Sequence, residues 1–76
     1  MADLTLDTSG LRCPLPILKA KKALSSLRAG ETLEVIATDP GAAEDFESFC
    51  RVTGHVLLGS SAEPGGSFRF LIRRTG

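Results

Sequence analysis

The chain has 76 residues, with nine basic and nine acidic side chains, one histidine and two cysteines. That length supports a single domain over residues 1–76 and is too short for two. The charge balance lacks the basic excess that nonspecific nucleic-acid binding needs. No apolar run approaches the ~20 residues of a membrane span.

The N-terminal run Met1-Ala2-Asp3-Leu4 has neither the basic region nor the apolar stretch of a secretory signal. Two cysteines in such a chain indicate free thiols in a reducing compartment, so the cytoplasm is the expected location. Leu4 to Asp7 alternates apolar and polar residues and predicts a short strand. Thr8-Ser9-Gly10 breaks it.

The run Gly10-Leu11-Arg12-Cys13-Pro14-Leu15-Pro16 follows. Proline is tolerated in the first helical turn, where backbone N–H groups lack partners. Ile17, Ala20, Leu24 and Leu27 then recur at spacings of three and four, the stripe of an amphipathic helix. Either Cys13 caps a helix beginning at Pro14, or the helix begins near Pro16 with Cys13 on the turn before it. In both registers Cys13 stands at a helix mouth, where negative charge is favoured, so the thiol is expected to lose its proton readily.

Ala29-Gly30 stops this helix, and Thr32 to Thr38 reads as a largely buried strand. Asp39-Pro40 repeats the start signal, an N-cap oxygen followed by proline at the first helical position. Ala42 or Ala43, Phe46, Phe49, Cys50 and Thr53 share one face of a second helix, which Gly54 ends. His55 to Gly59 begins a third strand, Glu63-Pro64-Gly65-Gly66 is a turn, and Ser67 to Arg74 is a fourth strand. The order βαβαββ implies an α/β fold, a two-layer sandwich with both helices on one face of the sheet. Right-handed crossovers then place Cys13, Asp39 and the Pro64–Gly66 hairpin at one edge of the sheet and His55 at the other. By this geometry no histidine or acidic group serves Cys13 as a base. Cys50 lies in the core, too far away for a disulfide. A lone His55 is no metal centre, and no metal site is expected.

These motifs resemble the TusA/SirA sulfur-carrier family. The resemblance rests on Leu11-Arg12-Cys13-Pro14-x-Pro16 after a short strand, Asp39-Pro40 before the second helix, and Phe49-Cys50 followed by Gly54-His55. It covers essentially the whole chain. It implies a four-stranded mixed sheet in the order 1-2-4-3 with an antiparallel fourth strand, like the C-terminal domain of translation initiation factor three. It also implies a persulfide on Cys13 as the only prosthetic group. Sulfur would come from a cysteine desulfurase or a rhodanese and pass to a relay protein with a reactive cysteine. The service would be tRNA thiolation, molybdenum-cofactor synthesis or sulfur metabolism. Leu15 stands where the tRNA-thiolation member has an acidic residue.

Arg12, Pro14, Pro16, Asp39 and Pro40 are the expected supports of Cys13. Arg12 is either a solvated charge or a cation that lowers the thiol pKa. Lys19 and Lys22 belong to a basic helix face, read either as solvated or as a docking surface for an acidic partner. The protein is expected to be a monomer that contacts neither nucleic acid nor membrane, and a half-reaction carrier rather than an independent catalyst. Two other readings are a regulatory module that binds RNA or protein, and a redox sensor at Cys13. The sensor lacks a resolving cysteine.

Overall fold

The computed structural model describes residues 2–76. The elements in chain order are β1 (Leu4–Thr8), α1 (Leu15–Ser25), β2 (Thr32–Ala37), α2 (Ala42–Thr53), β3 (Val56–Glu63) and β4 (Ser67–Arg73). The sheet order is β1-β2-β4-β3, with β1 parallel to β2 and β4 antiparallel to both β2 and β3. This is the mixed 1-2-4-3 sheet that the family resemblance implied.

Leu33, Val35 and Ala37 of β2 and Phe70 and Ile72 of β4 are buried on one face. Against them pack Ala20 and Leu24 of α1, with Ala42, Phe46 and Cys50 of α2. Both helices therefore cover the same face. The opposite face is open and carries Arg69, paired with Glu34 at 3.3 Å and Glu63 at 3.9 Å. Because only one face is covered, β2 alternates in and out instead of being buried throughout, and Ile36 is half-exposed on the open side.

The third strand, which the sequence reads as beginning over His55 to Gly59, spans Val56–Glu63. Ser60, Ser61 and Ala62 are weak strand formers, but the hairpin pairs them with β4 in register from Gly59 to Glu63. A bulge between Leu57 and Gly59 leaves Leu58 unpaired and exposed. Gly65 and Gly66 supply the left-handed residues of the connecting turn, at φ 87° and 86°.

The first helix ends earlier than its apolar stripe. Ser25 and Ser26 turn their hydroxyls back onto the carbonyls of Lys22 and Ala23, at 2.6 and 2.7 Å. Such bonds offer the backbone an alternative to the helix. Arg74 closes the end: its Nη1 donates to the carbonyls of Leu24 and Leu27 at 2.5 and 2.7 Å. A cation there also opposes the negative end of the helix dipole. Replacing Arg74 by alanine is expected to cost roughly 1.5–3 kcal/mol, the range for hydrogen bonds from a charged donor. Urea unfolding measures this, and an unchanged midpoint would refute the capping role.

Candidate functional site around Cys13

Cys13 lies at the sheet edge where β1 and β2 end. The loop that carries it is stitched to the loop after β2. The Thr8 hydroxyl, fully buried, donates to the Ile36 carbonyl at 2.7 Å. Gly10, left-handed at φ 82°, donates its N–H to Thr38 Oγ1 at 2.8 Å. The Cys13 N–H donates to Asp39 Oδ2 at 3.1 Å. Asp7 holds the start of the loop by accepting the Ser9 N–H at 2.9 Å, and hydrogen bonding with the Ser9 side chain, helped by that backbone bond, pulls its carboxyl below the usual range.

Of the two helix registers the sequence left open, the structure has Cys13 on the turn before the helix. Pro14 is the N-cap and Leu15 the first helical residue. The turn is closed by the Leu15 N–H donating to the Arg12 carbonyl at 2.8 Å. Pro16 is buried and starts the core stripe that Ala20 and Leu24 continue. Cys13 itself is exposed.

The second expected cap is not formed. The helix begins at Ala42, with Gly41 as N-cap and no side-chain cap. Asp39 is diverted: its carboxylate holds the Cys13 N–H, and its carbonyl accepts the Ala42 N–H at 3.0 Å. Pro40 sits in that turn, outside the helix. Asp39 therefore ties the two loops together instead of capping.

Beside Asp39, which the sequence places at the same edge, Cys13 has a second acidic neighbour, Asp45. Cys13 Sγ and carboxylate oxygens of Asp39 and Asp45 all lie within 4.8 Å of one another. Asp45 comes from the first turn of α2. Its hydrogen bond with the thiol is the chief influence on Cys13, and desolvation and the charges of Asp45 and Asp39 add to it. All four raise the thiol pKa. The expected acidic thiol is thus corrected to a thiol held in its neutral form. Arg12 is exposed and, among the described residues, forms no ion pair. Its cation does not overcome the two carboxylates.

Asp45 is the residue that the sequence reading missed. The signal was present: Asp45, Phe49 and Val52 follow at i, i+4 and i+7, one face of a helix whose start the topology brings to Cys13. That face and α1 enclose a groove of about 370 Å³, lined by Cys13, Pro14, Ile17, Asp45, Ser48, Phe49, Val52 and Thr53. The groove is mainly apolar, and Val52 on its rim is 82% exposed. Leu15 and Leu18 add exposed apolar surface on the first turns of α1.

Lys19 and Lys22 are not part of this groove. They line a separate one with Leu6, Ala23 and Ser26, on the flank of α1 away from α2. Cys50 is buried in α2 and unpaired. His55 stands at the opposite sheet edge, where its Nδ1 accepts the Thr75 N–H at 3.2 Å and its ring lies 6.0 Å from that of Phe49. No described helix is long and apolar enough to cross a membrane.

An exposed thiol on a braced corner, with an apolar groove beside it, is the arrangement of a small protein that presents a cysteine at its surface. The comparisons with known proteins agree with that class. The family model described as Sulfurtransferase TusA matches residues 4–74. The chain is 53% identical over 73 residues to the sulfur carrier protein TusA of Allochromatium vinosum, covering 96% of this chain and 95% of that one. It is 44% identical over 72 residues to the sulfur carrier protein TusA of Pseudomonas entomophila, covering 95% and 89%. The crystal structure of a SirA-like protein from Desulfitobacterium hafniense superposes with a TM-score of 0.84 at 24% identity, over 96% of this chain and 99% of that one. The chain belongs to the TusA family of sulfurtransferases.

Proposed function

We propose that this protein is a sulfur carrier that accepts sulfane sulfur as a persulfide on Cys13 and hands it to the cysteine of an acceptor protein. The observation that carries the reading is the placement of Cys13. It is the exposed one of two free cysteines, and it stands on a corner held by Asp39 and by the turn into α1. The chain's membership of the sulfurtransferase family supports the same reading. Transfer needs a sulfur nucleophile and access for a second sulfur, through attack and exchange between the two.

The neutral resting thiol favours a carrier over a redox sensor. Sensor cysteines are accessible but of low pKa, whereas Asp45 and Asp39 push this one up. It therefore waits for a donor that delivers activated sulfur. The donor is a protein persulfide such as that of a cysteine desulfurase or rhodanese. The groove beside Cys13 is suited to the apolar segment that bears the partner's cysteine, because its mouth holds the thiol itself. The cytoplasm is the matching compartment, since a free acceptor thiol such as Cys13 stays reduced there and ready to take up sulfur.

The test is incubation with a cysteine desulfurase and cysteine, read by intact mass. A gain of about 32 Da per chain, removed by dithiothreitol, is the expected signature of one exchanged sulfur. No gain would overturn the proposal. A second expectation concerns the groove. Val52→Asp puts a charge on an exposed rim residue, so the fold is kept. Loading from the protein donor should fall about tenfold, as a charge in an apolar contact requires, while loading from a small persulfide stays unchanged. Equal loading of both proteins from both donors would remove the groove from the account.

A further inference from the structure

We infer that Asp45, with Asp39 behind it, sets how weakly Cys13 holds its sulfur, by placing fixed negative charge beside the position a persulfide anion occupies. The inference rests on the carrier reading above and concerns the same site.

The geometry comes from two independent elements. Asp45 is carried by the first turn of α2, and Asp39 by the loop after β2, pinned by the Cys13 N–H. Both carboxylates lie with Cys13 Sγ inside a 4.8 Å cluster. Of the charged residues adjacent in the chain, Arg12 precedes Cys13 and Glu44 precedes Asp45. Both are exposed. No described cation pairs with Asp39 or Asp45.

The transfer step fixes the sign. A donor persulfide anion, R–S–S⁻, meets the Cys13 thiol. The Cys13 Sγ–S bond forms and the donor S–S bond breaks. The electron pair goes to the donor sulfur, which ends with the thiol proton as R–SH. The products are Cys13–S–S⁻ and R–SH, with no net oxidation. One negative charge has moved onto the carrier, next to two carboxylates. The empty carrier is neutral at Cys13, so the repulsion falls on the loaded state alone. The carrier is thereby poised to discharge. A site that stabilised the persulfide would retain it.

The experiment equilibrates the protein with glutathione persulfide and glutathione and reads the ratio of loaded to empty chains by intact mass. For Asp45→Asn the ratio at neutral pH should rise about fivefold, the effect expected of one charge at this distance in a largely aqueous setting. Asp45→Glu restores the charge and should return the wild-type ratio. The rise should shrink in high salt. It should also shrink at alkaline pH, where the empty Cys13 is itself an anion and is repelled in both states. The thiolate ultraviolet absorbance of the empty Asp45→Asn protein should appear at lower pH than that of wild type. If wild type loads and the Asp45→Asn ratio is unchanged or lower, the inference is wrong while the carrier reading stands. If wild type does not load, the carrier reading fails and takes this inference with it.

Discussion

Cys13→Ser is expected to reduce sulfur uptake at least about 100-fold, to background, because a serine hydroxyl is not an exchanging sulfur nucleophile. The fold should be unaffected, since Cys13 is exposed and its structural bond is made by the backbone N–H, which serine keeps. The second cysteine offers no rescue. Cys50 is buried in the core, and that burial raises its thiol pKa. Its sulfur is both shielded and protonated. Intact mass after incubation with a persulfide donor, beside a thermal melt of the same sample, separates lost chemistry from lost structure. Wild-type uptake by Cys13→Ser would remove Cys13 from the mechanism.

Phe46→Ala is expected to leave much of the population unfolded. Phe46 is fully buried at the centre of the core. Its ring lies 4.8 Å from Phe70 on the sheet and 6.4 Å from Phe49, edge-on, along its own helix. It therefore joins α2 to the sheet and supports the wall of the groove beside Cys13. Truncating a buried phenylalanine to alanine costs about 3–5 kcal/mol. A core of this size supplies about the same amount. Urea unfolding followed by circular dichroism should show the transition displaced almost to zero denaturant. A loss below about 1 kcal/mol would mean that the core is not organised around this ring. Cys13→Ser and Phe46→Ala thus both abolish transfer, the first without disturbing the fold and the second by removing it.

The strands and the placement of the helices were legible because they follow from patterns the chain repeats, whereas the sheet order 1-2-4-3 was implied by the family resemblance alone. The period-four stripe through Ala20 and Leu24 and the alternation through Phe70 and Ile72 each leave one way to bury an apolar face. Chain topology alone then brought Cys13 and Asp39 to one edge and His55 to the other. Local capping chemistry was less legible. Asp39-Pro40 is a good helix start in isolation, but the Asp39 carboxylate had a competing donor 26 residues away, the Cys13 N–H. No local pattern encodes that choice. The protonation of Cys13 failed for the same reason. The helix mouth predicts an acidic thiol, and Asp45 reverses the sign from a different helix. Charges from two elements outweigh one partial dipole, whose effect fades within the first turn. Arg74 is a third instance: it reads as the end of a strand, and its work is done on the last turn of α1.

These corrections change the character of the site. A helix-activated nucleophile would react with many electrophiles. On the carrier reading proposed above, a neutral thiol flanked by two carboxylates waits for a donor that brings sulfur already activated, and the inferred persulfide anion meets repulsion from its surroundings. Both properties suit an intermediate that must load from one protein and unload to another.

The most direct test of the central claim is to find where the sulfur sits. The protein is loaded from a cysteine desulfurase with cysteine, free thiols and persulfides are capped with iodoacetamide, and peptides are mapped without reductant. The account predicts one added sulfur on the peptide containing Cys13 and none on the peptide containing Cys50, with the added sulfur lost when the loaded protein is first exposed to an acceptor thiol. Sulfur on Cys50, or a Cys13 peptide that carries only the alkyl group, would contradict it.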